Sequence, residues 1–402
     1  MKQKGLITFF ENYITQESFF INKKVLQSNY TPKNIPHRKE QIDNIAGVLA
    51  PSLREERPSN LFIYGKTGSG KTVSVIYVTK MMDEIIKKNN LNIKIIYLNC
   101  KLRRVADTEY RLVAQLTREF GVDVPATGLP TDEIYNIFIN SLESKKQLLI
   151  IILDEIDQLV KKAGDGILYN LTRLNVDLKN SQISIIGISN DLVFTDNLDP
   201  RVKSSLSEEE LIFPPYNAVQ LQAILRYRAR LAFKEGIIGE GAIEKCAAYA
   251  AREHGDARRA LDLLRVAGEL AERANETKVT IKHIDYADEK IERDRVFDIV
   301  NTQPKQFKLG LYSIFNICLG NDKPIFTGEV YEIYKDACLK TGVKPLTQRR
   351  LSDIIAELDM LGIINAKVIS KGRYGRTREI CLAIPSTTVP KINSLLKESL
   401  GL

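Results

Sequence analysis

The chain is poor in the residues that form disulfide bridges or bind zinc: it has five cysteines and three histidines in 402 residues. The cysteines are scattered, odd in number and nowhere spaced as Cys-x-x-Cys, and the histidines lie far apart. Neither a disulfide framework nor a zinc site is therefore expected.

Long apolar segments are also missing. The longest uninterrupted aliphatic run, Leu148 to Leu153, is far shorter than the roughly 20 residues that cross a bilayer, and the N-terminus has no signal-peptide core. We therefore expect a soluble intracellular protein with no membrane partner. The same absences predict a cytoplasmic protein.

The charge is unevenly distributed. The net charge is +8, and residues from Arg295 to the end carry 16 Lys/Arg against 10 Asp/Glu, a surplus of +6. A basic C-terminal domain on a near-neutral body indicates a polyanionic partner for that domain, although a solvated basic surface would have the same composition. The length favours two or three domains.

The stretch Gly65-Lys66-Thr67-Gly68-Ser69-Gly70-Lys71-Thr72 fits the phosphate-loop pattern. Its glycines let backbone N–H groups curl around phosphates without interference from a Cβ atom, and Lys71 supplies a point charge. A short apolar strand precedes the loop and an amphipathic helix follows it, so the helix dipole faces the phosphates. All eight residues are predicted to bind a nucleotide, ATP or ADP.

From residue 60 to about residue 216, apolar strands alternate with helices, which predicts a parallel sheet covered on both faces, an α/β fold. The strands are placed at 60–64, 94–99, 148–153, 183–189 and 210–213. The helices of this region are placed at 72–88, 108–120, 131–144 and 166–178, and a further helix at 37–53 precedes the first strand.

Polar side chains follow two of these strands, at the edge of the sheet where ligands bind. Asp154 and Glu155 fit a Walker B site, in which Asp154 and the Thr72 hydroxyl hold Mg²⁺ and Glu155 polarises the attacking water. Asn190 follows the next strand and is predicted to orient the same water. The alternatives are a solvated helix cap for the acidic pair and an ordinary turn asparagine.

Two arginines are candidates for contact with the γ-phosphate. Arg201 could act as a charge-stabilising finger on the nucleotide of a neighbouring subunit, or it could simply pair with nearby Asp199. After residue 216 the pattern becomes purely helical. Asn217 is predicted to cap the first helix, the second is placed at 241–254, the third begins at Gly255-Asp256, and a charged helix follows near 281–302. Arg258, in the first turn of the third helix, is placed to reach the nucleotide.

The C-terminal region has the pattern of a winged helix. Helices at 307–319, 329–339 and 347–361 are followed by a hairpin of strands at 366–371 and 377–384 with a basic, Gly-rich tip. The third helix would enter the major groove and the hairpin would contact the backbone or minor groove. A small protein-interaction domain is the alternative. The predicted DNA contacts are Thr347, Gln348, Arg349 and Arg350 on the helix, and Lys371, Arg373, Tyr374, Arg376 and Arg378 on the hairpin.

In order and spacing, Gly65 to Thr72, Asp154-Glu155, Asn190, Arg201 and Gly255-Asp-Ala-Arg258 resemble the Walker A, Walker B, sensor 1, arginine-finger and sensor 2 motifs of AAA+ ATPases. The chain resembles archaeal replication initiators related to the eukaryotic origin recognition complex and its cell-division-control loading factor. The resemblance covers nearly the whole chain, including Pro36-His37-Arg38 ahead of the ATPase region. The resemblance implies four parts: an N-terminal arm (1–30), a P-loop ATPase base (31–216), a helical lid (217–295) and a winged-helix domain (296–402). Because residues 1–30 contain more aromatic and apolar residues than a disordered tail would, we expect the arm to pack on the domain that follows it.

Residues 121–130 form an insert between two helices. The resemblance implies an added motif that also touches DNA, in which Leu129 and Pro130 would press against the minor groove. A plain surface loop is an equally good interpretation of the same residues.

These features predict a DNA replication initiator that hydrolyses ATP slowly, as a switch, and binds double-stranded origin DNA. The partners that the resemblance implies are a replicative helicase of the MCM type and other initiator copies or paralogues on the DNA. An ATP-switched winged-helix transcription regulator and a clamp-loader-type subunit are the alternatives.

Overall fold

The computed structural model describes residues 17–28, 30–101, 108–125, 128–206, 208–318, 325–370, 376–384 and 389–402. The chain forms two compact units, Met1–Asp285 and Tyr286–Leu402. The boundary between them falls within the charged helix predicted near residues 281–302. The predicted divisions after residues 30, 216 and 295 remain predictions.

The first unit contains a five-stranded, all-parallel sheet, which confirms the predicted α/β fold. The strand order is β2-β3-β4-β1-β5. All seven residues of β3, an inner strand, are buried, because helices cover both faces of the sheet. The strands are β1 Asn60–Gly65, β2 Ile93–Asn99, β3 Leu148–Asp154, β4 Gln182–Ser189 and β5 Glu208–Phe213.

Seven helices accompany this sheet in the described part of the first unit's ATPase region. Helices α1 and α2 pack on one face and the other five on the opposite face, each with its own apolar core. The sequence did not predict α5 or α7, each of eight residues or fewer and too short for a clear period. The helices are α1 Lys39–Leu49, α2 Lys71–Asn89, α3 Glu109–Arg118, α4 Thr131–Glu143, α5 Ile156–Ala163, α6 Gly166–Asp177 and α7 Pro200–Leu206.

Three helices then form the lid. They are α8 Ala218–Ala232, α9 Ala242–Arg252 and α10 Ala257–Arg273. Asn217 caps α8 as predicted: its side chain accepts from Gln220 N at 2.9 Å and the Gln220 side chain accepts from Asn217 N at 3.1 Å. The reciprocal pair satisfies N–H groups that the helix itself leaves unbonded.

The N-terminal arm, where it is described, packs on the lid, whereas we expected it to pack on the ATPase base that follows it in the chain. Phe20 stacks against Phe233 with ring centroids 4.6 Å apart, and the buried Glu272 carboxylate accepts a hydrogen bond from Phe19 N at 2.9 Å. A Cβ atom at Gly268 would lie 2.7 Å from both rings. The expectation failed because adjacency in sequence does not determine which apolar surface a short arm covers.

The second unit is a winged helix, as predicted. Its three-stranded antiparallel sheet has the order β6-β8-β7, and β7 and β8 form the expected hairpin, with Ser370 opposite Arg376 at its described end. The sequence did not predict the short β6 or the last helix. The elements are α11 Ile281–Thr302, which begins in the first unit, α12 Lys305–Cys318, β6 Ile325–Phe326, α13 Thr327–Lys340, α14 Gln348–Met360, β7 Ile364–Ser370, β8 Arg376–Leu382 and α15 Val389–Leu400.

Within the described part of the chain, none of the helices is both long and apolar enough to span a bilayer.

Candidate nucleotide site and DNA-binding unit

Lys71 lies at the centre of the first unit's site. Its ammonium group donates to the carbonyl oxygens of Gly65 at 2.6 Å and Lys66 at 2.9 Å, and to Asn190 Oδ1 at 2.9 Å. The strand order places β4 beside β1, so Asn190 at the end of β4 comes within reach of the loop after β1. The structure thus joins the predicted phosphate lysine and the predicted sensor asparagine directly.

The Lys71 side chain is buried, and burial lowers its pKa to about 8 despite the nearby carboxylates. Because the ammonium group has lost most of its contact with water, an anionic ligand that replaces this hydration would stabilise its charged form. The electrostatics of the loop therefore suit a phosphate group.

Asp154, at the end of β3, faces the first turn of α2. Thr72 Oγ1 lies 3.1 Å from Asp154 Oδ2 and 3.3 Å from Oδ1, and Tyr97 Oη donates to Oδ2 at 2.6 Å. Burial and the bond to Asp154 raise the pKa of Tyr97. The Thr72 hydroxyl and the Asp154 carboxylate are oxygen donors of the kind that Mg²⁺ prefers, so the residues present fit the predicted ion.

Glu155 begins α5 with a left-handed backbone, φ 55°. Its side chain is 21% exposed, and its carboxylate lies 3.8 Å from Lys101 Nζ. Both Glu155 and Lys101 line the same cavity as the phosphate loop. The glutamate is thus accessible from the cavity, as a residue that polarises water must be.

A buried arginine, Arg38, is hydrogen-bonded to the backbone of the phosphate loop. Arg38 is 2% exposed, and its guanidinium donates to the carbonyls of Ser69, at 2.9 Å, and Pro214. It also lies over the Tyr216 ring, 3.9 Å from its centroid. Burial lowers the Arg38 pKa, but the two carbonyl acceptors and the ring stabilise the cation.

The lid contacts the loop directly. Asp256 caps α10 by accepting from Arg258 N at 2.7 Å, and Ala257 N donates to Gly68 O at 3.3 Å. Gly68 has φ 74°, and a Cβ there would lie 1.8 Å from an Asp256 oxygen. Only glycine therefore lets the loop and the start of the lid helix approach this closely.

A cavity of about 440 Å³ lies between these groups. Its size is within the range of small-molecule sites. Asp154, Glu155, Asn190 and Arg258 line it together with Thr67, Gly68, Gly70, Lys71 and Thr72 of the phosphate loop. The predicted residues that do not line it are Gly65, Lys66, Ser69 and Arg201.

Sequence reasoning missed much of the cavity wall. The connector before α1 contributes Tyr30, Ile35 and Pro36, and the lid contributes Tyr227 and other apolar residues. No local motif identifies these residues, although the Pro36-His37-Arg38 run that contributed to the family resemblance marks the end of the connector.

Arg201 lies outside this cavity, in a shallow depression with Tyr169 and Arg173. Its side chain is 84% exposed and pairs with Asp199, with Nε 3.1 Å from Oδ1. The pairing that we considered as the alternative is thus present in the single chain. A role on a neighbouring subunit remains a prediction.

Helix α14 of the second unit presents a polar first turn. Thr347 Oγ1 caps the helix by accepting from Arg350 N at 3.4 Å, and the Arg350 guanidinium lies 3.6 Å from Asp353. Gln348 and Arg349 are exposed, and Arg349 forms no ion pair with any described residue. Of the four predicted helix contacts, Gln348 and Arg349 are therefore the most available.

The hairpin residues are only partly described. Lys371, Arg373 and Tyr374 lie outside the described residues, and so does the Arg376 side chain. Arg378 is half-buried on β8, and its Nε donates to Ser352 Oγ of α14 at 3.3 Å. This bond ties the hairpin to the helix, so Arg378 has a structural contact besides its predicted one with phosphate.

The insert at 121–130 connects α3 and α4. Leu129 is half-buried against the core of the ATPase sheet, while Pro130 is exposed and precedes α4. The burial of Leu129 favours the surface-loop interpretation for that residue. A DNA contact by the insert remains a prediction.

Three family models match the chain in sequence order. They are "AAA domain" at residues 54–193, "Cdc6 AAA+ ATPase-type lid domain" at 222–289 and "CDC6, C terminal winged helix domain" at 298–391. An ATPase domain, a lid and a winged helix are the parts that the fold presents.

Whole-chain relatives agree with these models. An "ORC1-type DNA replication protein" of Thermococcus onnurineus is 52% identical over 396 residues, which cover 98% of this chain and 95% of the relative. One from Methanosarcina mazei is 52% identical, with 98% and 94% covered. A solved structure of Aeropyrum pernix ORC1 in complex with DNA is 45% identical, with TM-score 0.83 over 94% of this chain and 98% of that one. The chain therefore belongs to the ORC1-type DNA replication proteins, AAA+ ATPases with a Cdc6-type lid and a C-terminal winged helix.

Proposed function

We propose that this initiator binds duplex origin DNA through its winged helix, and that the nucleotide between its phosphate loop and lid switches its activity. The observation that carries the proposal is the cavity that Lys71, Asp154, Glu155 and Arg258 line together. Because Arg258 belongs to the lid and the other three residues to the ATPase base, a bound γ-phosphate can bias the angle between the lid and the base.

In this site the loop N–H groups and Lys71 hold the phosphates of ATP, and Asn190 positions Lys71 and the attacking water. Glu155 accepts the proton from that water, which attacks the γ-phosphorus and releases ADP and phosphate. Thr72 and Asp154 would hold Mg²⁺, which supplies charge neutralisation of the phosphates when bound. In this proposal ATP hydrolysis is slow and limits how long the ATP-bound state lasts, and it does not drive repeated cycles of movement.

The winged helix supplies the DNA contacts in this proposal. Gln348 and Arg349 read base edges in the major groove, because glutamine and arginine make bidentate base contacts. The basic hairpin, including Lys371, Arg373 and Arg376, contacts phosphates or the minor groove. The DNA-bound initiator would then recruit an MCM-type helicase, with further copies or paralogues beside it. We place the protein in the cytoplasm, on the nucleoid.

A DNA selection tests this function. Genomic fragments bound by the full chain would be enriched and then mapped by nuclease footprinting, with ATP and with ADP. We expect discrete origin fragments whose footprint changes between the two nucleotides. Uniform binding of all fragments, or identical footprints with both nucleotides, would contradict an ATP-switched origin binder.

Arg349→Ala should weaken binding to the selected sequence by about 1–3 kcal/mol and relax the preference at one base pair, because a bidentate base contact is lost. Competition fluorescence anisotropy against substituted duplexes measures both effects. The matched control is Lys397→Ala, which removes the same charge from exposed α15 in the same unit. If the two variants lost the same amount of DNA affinity, or if the base preference were unchanged, Arg349 would contribute to binding only through its charge and not through a base contact.

Arg201→Ala tests action between subunits. If Arg201 stabilises charge on the nucleotide of a neighbouring subunit, its removal should lower the rate of DNA-stimulated ATP hydrolysis about tenfold. An enclosed arginine finger raises the hydrolysis rate roughly 10³-fold or more, and we expect a smaller contribution from an exposed arginine. Mixing this variant with Lys71→Ala protein, whose Arg201 is intact, should restore part of the turnover. If the mixture hydrolysed ATP as slowly as the separate variants, Arg201 would have no role on a neighbouring subunit, and its pair with Asp199 would be its only supported contact.

A further inference from the structure

The carboxylate of Asp154 has a partner that no motif indicated. Among described residues its donors are Glu155 N at 3.0 Å, Thr72 Oγ1 at 3.1 and 3.3 Å, and Tyr97 Oη at 2.6 Å. The shortest of these bonds therefore comes from Tyr97, a residue outside every predicted ATPase motif. Asp154 itself is 5% exposed, so these donors replace most of its hydration.

Strand register explains how Tyr97 reaches this position. Strand β2 pairs with β3 so that Tyr97 lies opposite Ile152 and Asn99 opposite Asp154. Side chains two residues apart point to the same face of a strand, and two residues rise about 6.6 Å, a distance that a tyrosine side chain can span. This face is the one that α2 covers, which also brings Thr72 to Asp154.

The ring and the hydroxyl of Tyr97 have different environments. The side chain lines the nucleotide cavity and is 40% exposed, so the ring contributes little to the core. Its hydroxyl, in contrast, is partly buried against Asp154. The enclosed end of the side chain is thus the end that contacts the predicted metal ligand.

We propose that Tyr97 is a positioning residue for the Mg²⁺–nucleotide complex. Its hydroxyl holds Asp154 in the orientation that faces Thr72, so the carboxylate is already ordered when the ion arrives. Outer-shell partners of this kind are typically worth about 10–100-fold in metal affinity. The inference rests on the proposed nucleotide site.

Tyr97→Phe removes only the hydroxyl and tests the inference in the full chain. Binding of a fluorescent ADP analogue would be measured in EDTA and over a Mg²⁺ titration, together with binding of Mn²⁺ to the protein–ADP complex by electron paramagnetic resonance. We expect the nucleotide affinity in EDTA to be unchanged. The Mg²⁺ midpoint, which is the Mg²⁺ concentration that gives half of the Mg²⁺-dependent change in nucleotide binding, should be roughly tenfold higher than in the wild type. Against an Asp154→Ala background, Tyr97→Phe should change the Mg²⁺ midpoint by less than about twofold.

Tyr135→Phe is the matched control, because it removes a 2.7 Å tyrosine–carboxylate bond, to Glu109, outside the cavity. Its Mg²⁺ midpoint should equal that of the wild type. An unchanged midpoint in Tyr97→Phe, an affinity loss of the same size in EDTA, or loss of the folded state would each overturn the inference. A wild-type protein that binds nucleotide without any Mg²⁺ dependence would instead contradict the proposed metal site itself.

Discussion

A Lys71→Ala protein should fold but lose nucleotide binding by about 30-fold or more, because truncating one partner of a buried charge contact costs roughly 2–5 kcal/mol. Burial lowers the Lys71 pKa from 10.5 to about 8. The sign of this shift means that the ammonium disfavours the folded state at neutral pH, so its removal should leave the empty protein folded. Thermal unfolding checks both points: ATP should raise the Tm of the wild type and leave that of the variant unchanged.

Lys88→Ala is the control for this substitution. It removes an exposed lysine from the last turn of α2, the helix that begins at Lys71. Nucleotide affinity should then change by no more than about fivefold. DNA binding by Lys71→Ala without nucleotide should match that of the wild type. Loss of DNA binding in a folded Lys71→Ala protein would contradict separate nucleotide and DNA modules.

Glu155→Gln should bind ATP normally and hydrolyse it roughly 10²–10⁴-fold more slowly, the usual effect of removing a general base. The substitution preserves the size of the side chain but cannot accept the proton from water. It also removes the charge that faces Lys101 at 3.8 Å. Single-turnover phosphate release, measured beside filter binding of ATP, separates the chemical step from affinity.

The comparison for this variant is Glu133→Gln, the same change at an exposed residue in the first turn of α4. That protein should hydrolyse ATP at the wild-type rate. Wild-type turnover by Glu155→Gln would remove Glu155 from the catalytic role, and a parallel loss of ATP binding would assign it to binding instead. Footprints of Glu155→Gln on DNA should persist in the ATP form.

Much of the fold could be predicted because its patterns are local and strong. The five strands of the sheet, the lid helices and the hairpin were all placed within a few residues of their positions in the structure. Short elements without a clear period, such as α5, α7 and β6, were missed. The position of the arm at Phe19 and Phe20 was wrong, because the apolar surface of α8 and α10 that it covers is built from distant segments.

For the site, the sequence by itself determined the chemistry: a phosphate loop ending in Lys71 and Thr72, an acidic pair after a buried strand, and a polar residue after the next. These residue types are constrained locally, since phosphate binding needs glycine, a cation and free N–H groups in one short loop. The family resemblance added the role of Arg258.

Only the tertiary structure decided which groups meet at that loop. The strand order brings Asn190 to Lys71, the β2–β3 register brings Tyr97 to Asp154, and Arg38 reaches Ser69 from the far side of the loop. Such contacts join segments far apart in the chain, and their specificity comes from pairing register and packing rather than from any local sequence pattern. For Arg201 the sequence left two roles open. The folded chain contains its pair with Asp199, and a contact with the nucleotide of a neighbouring subunit remains a prediction.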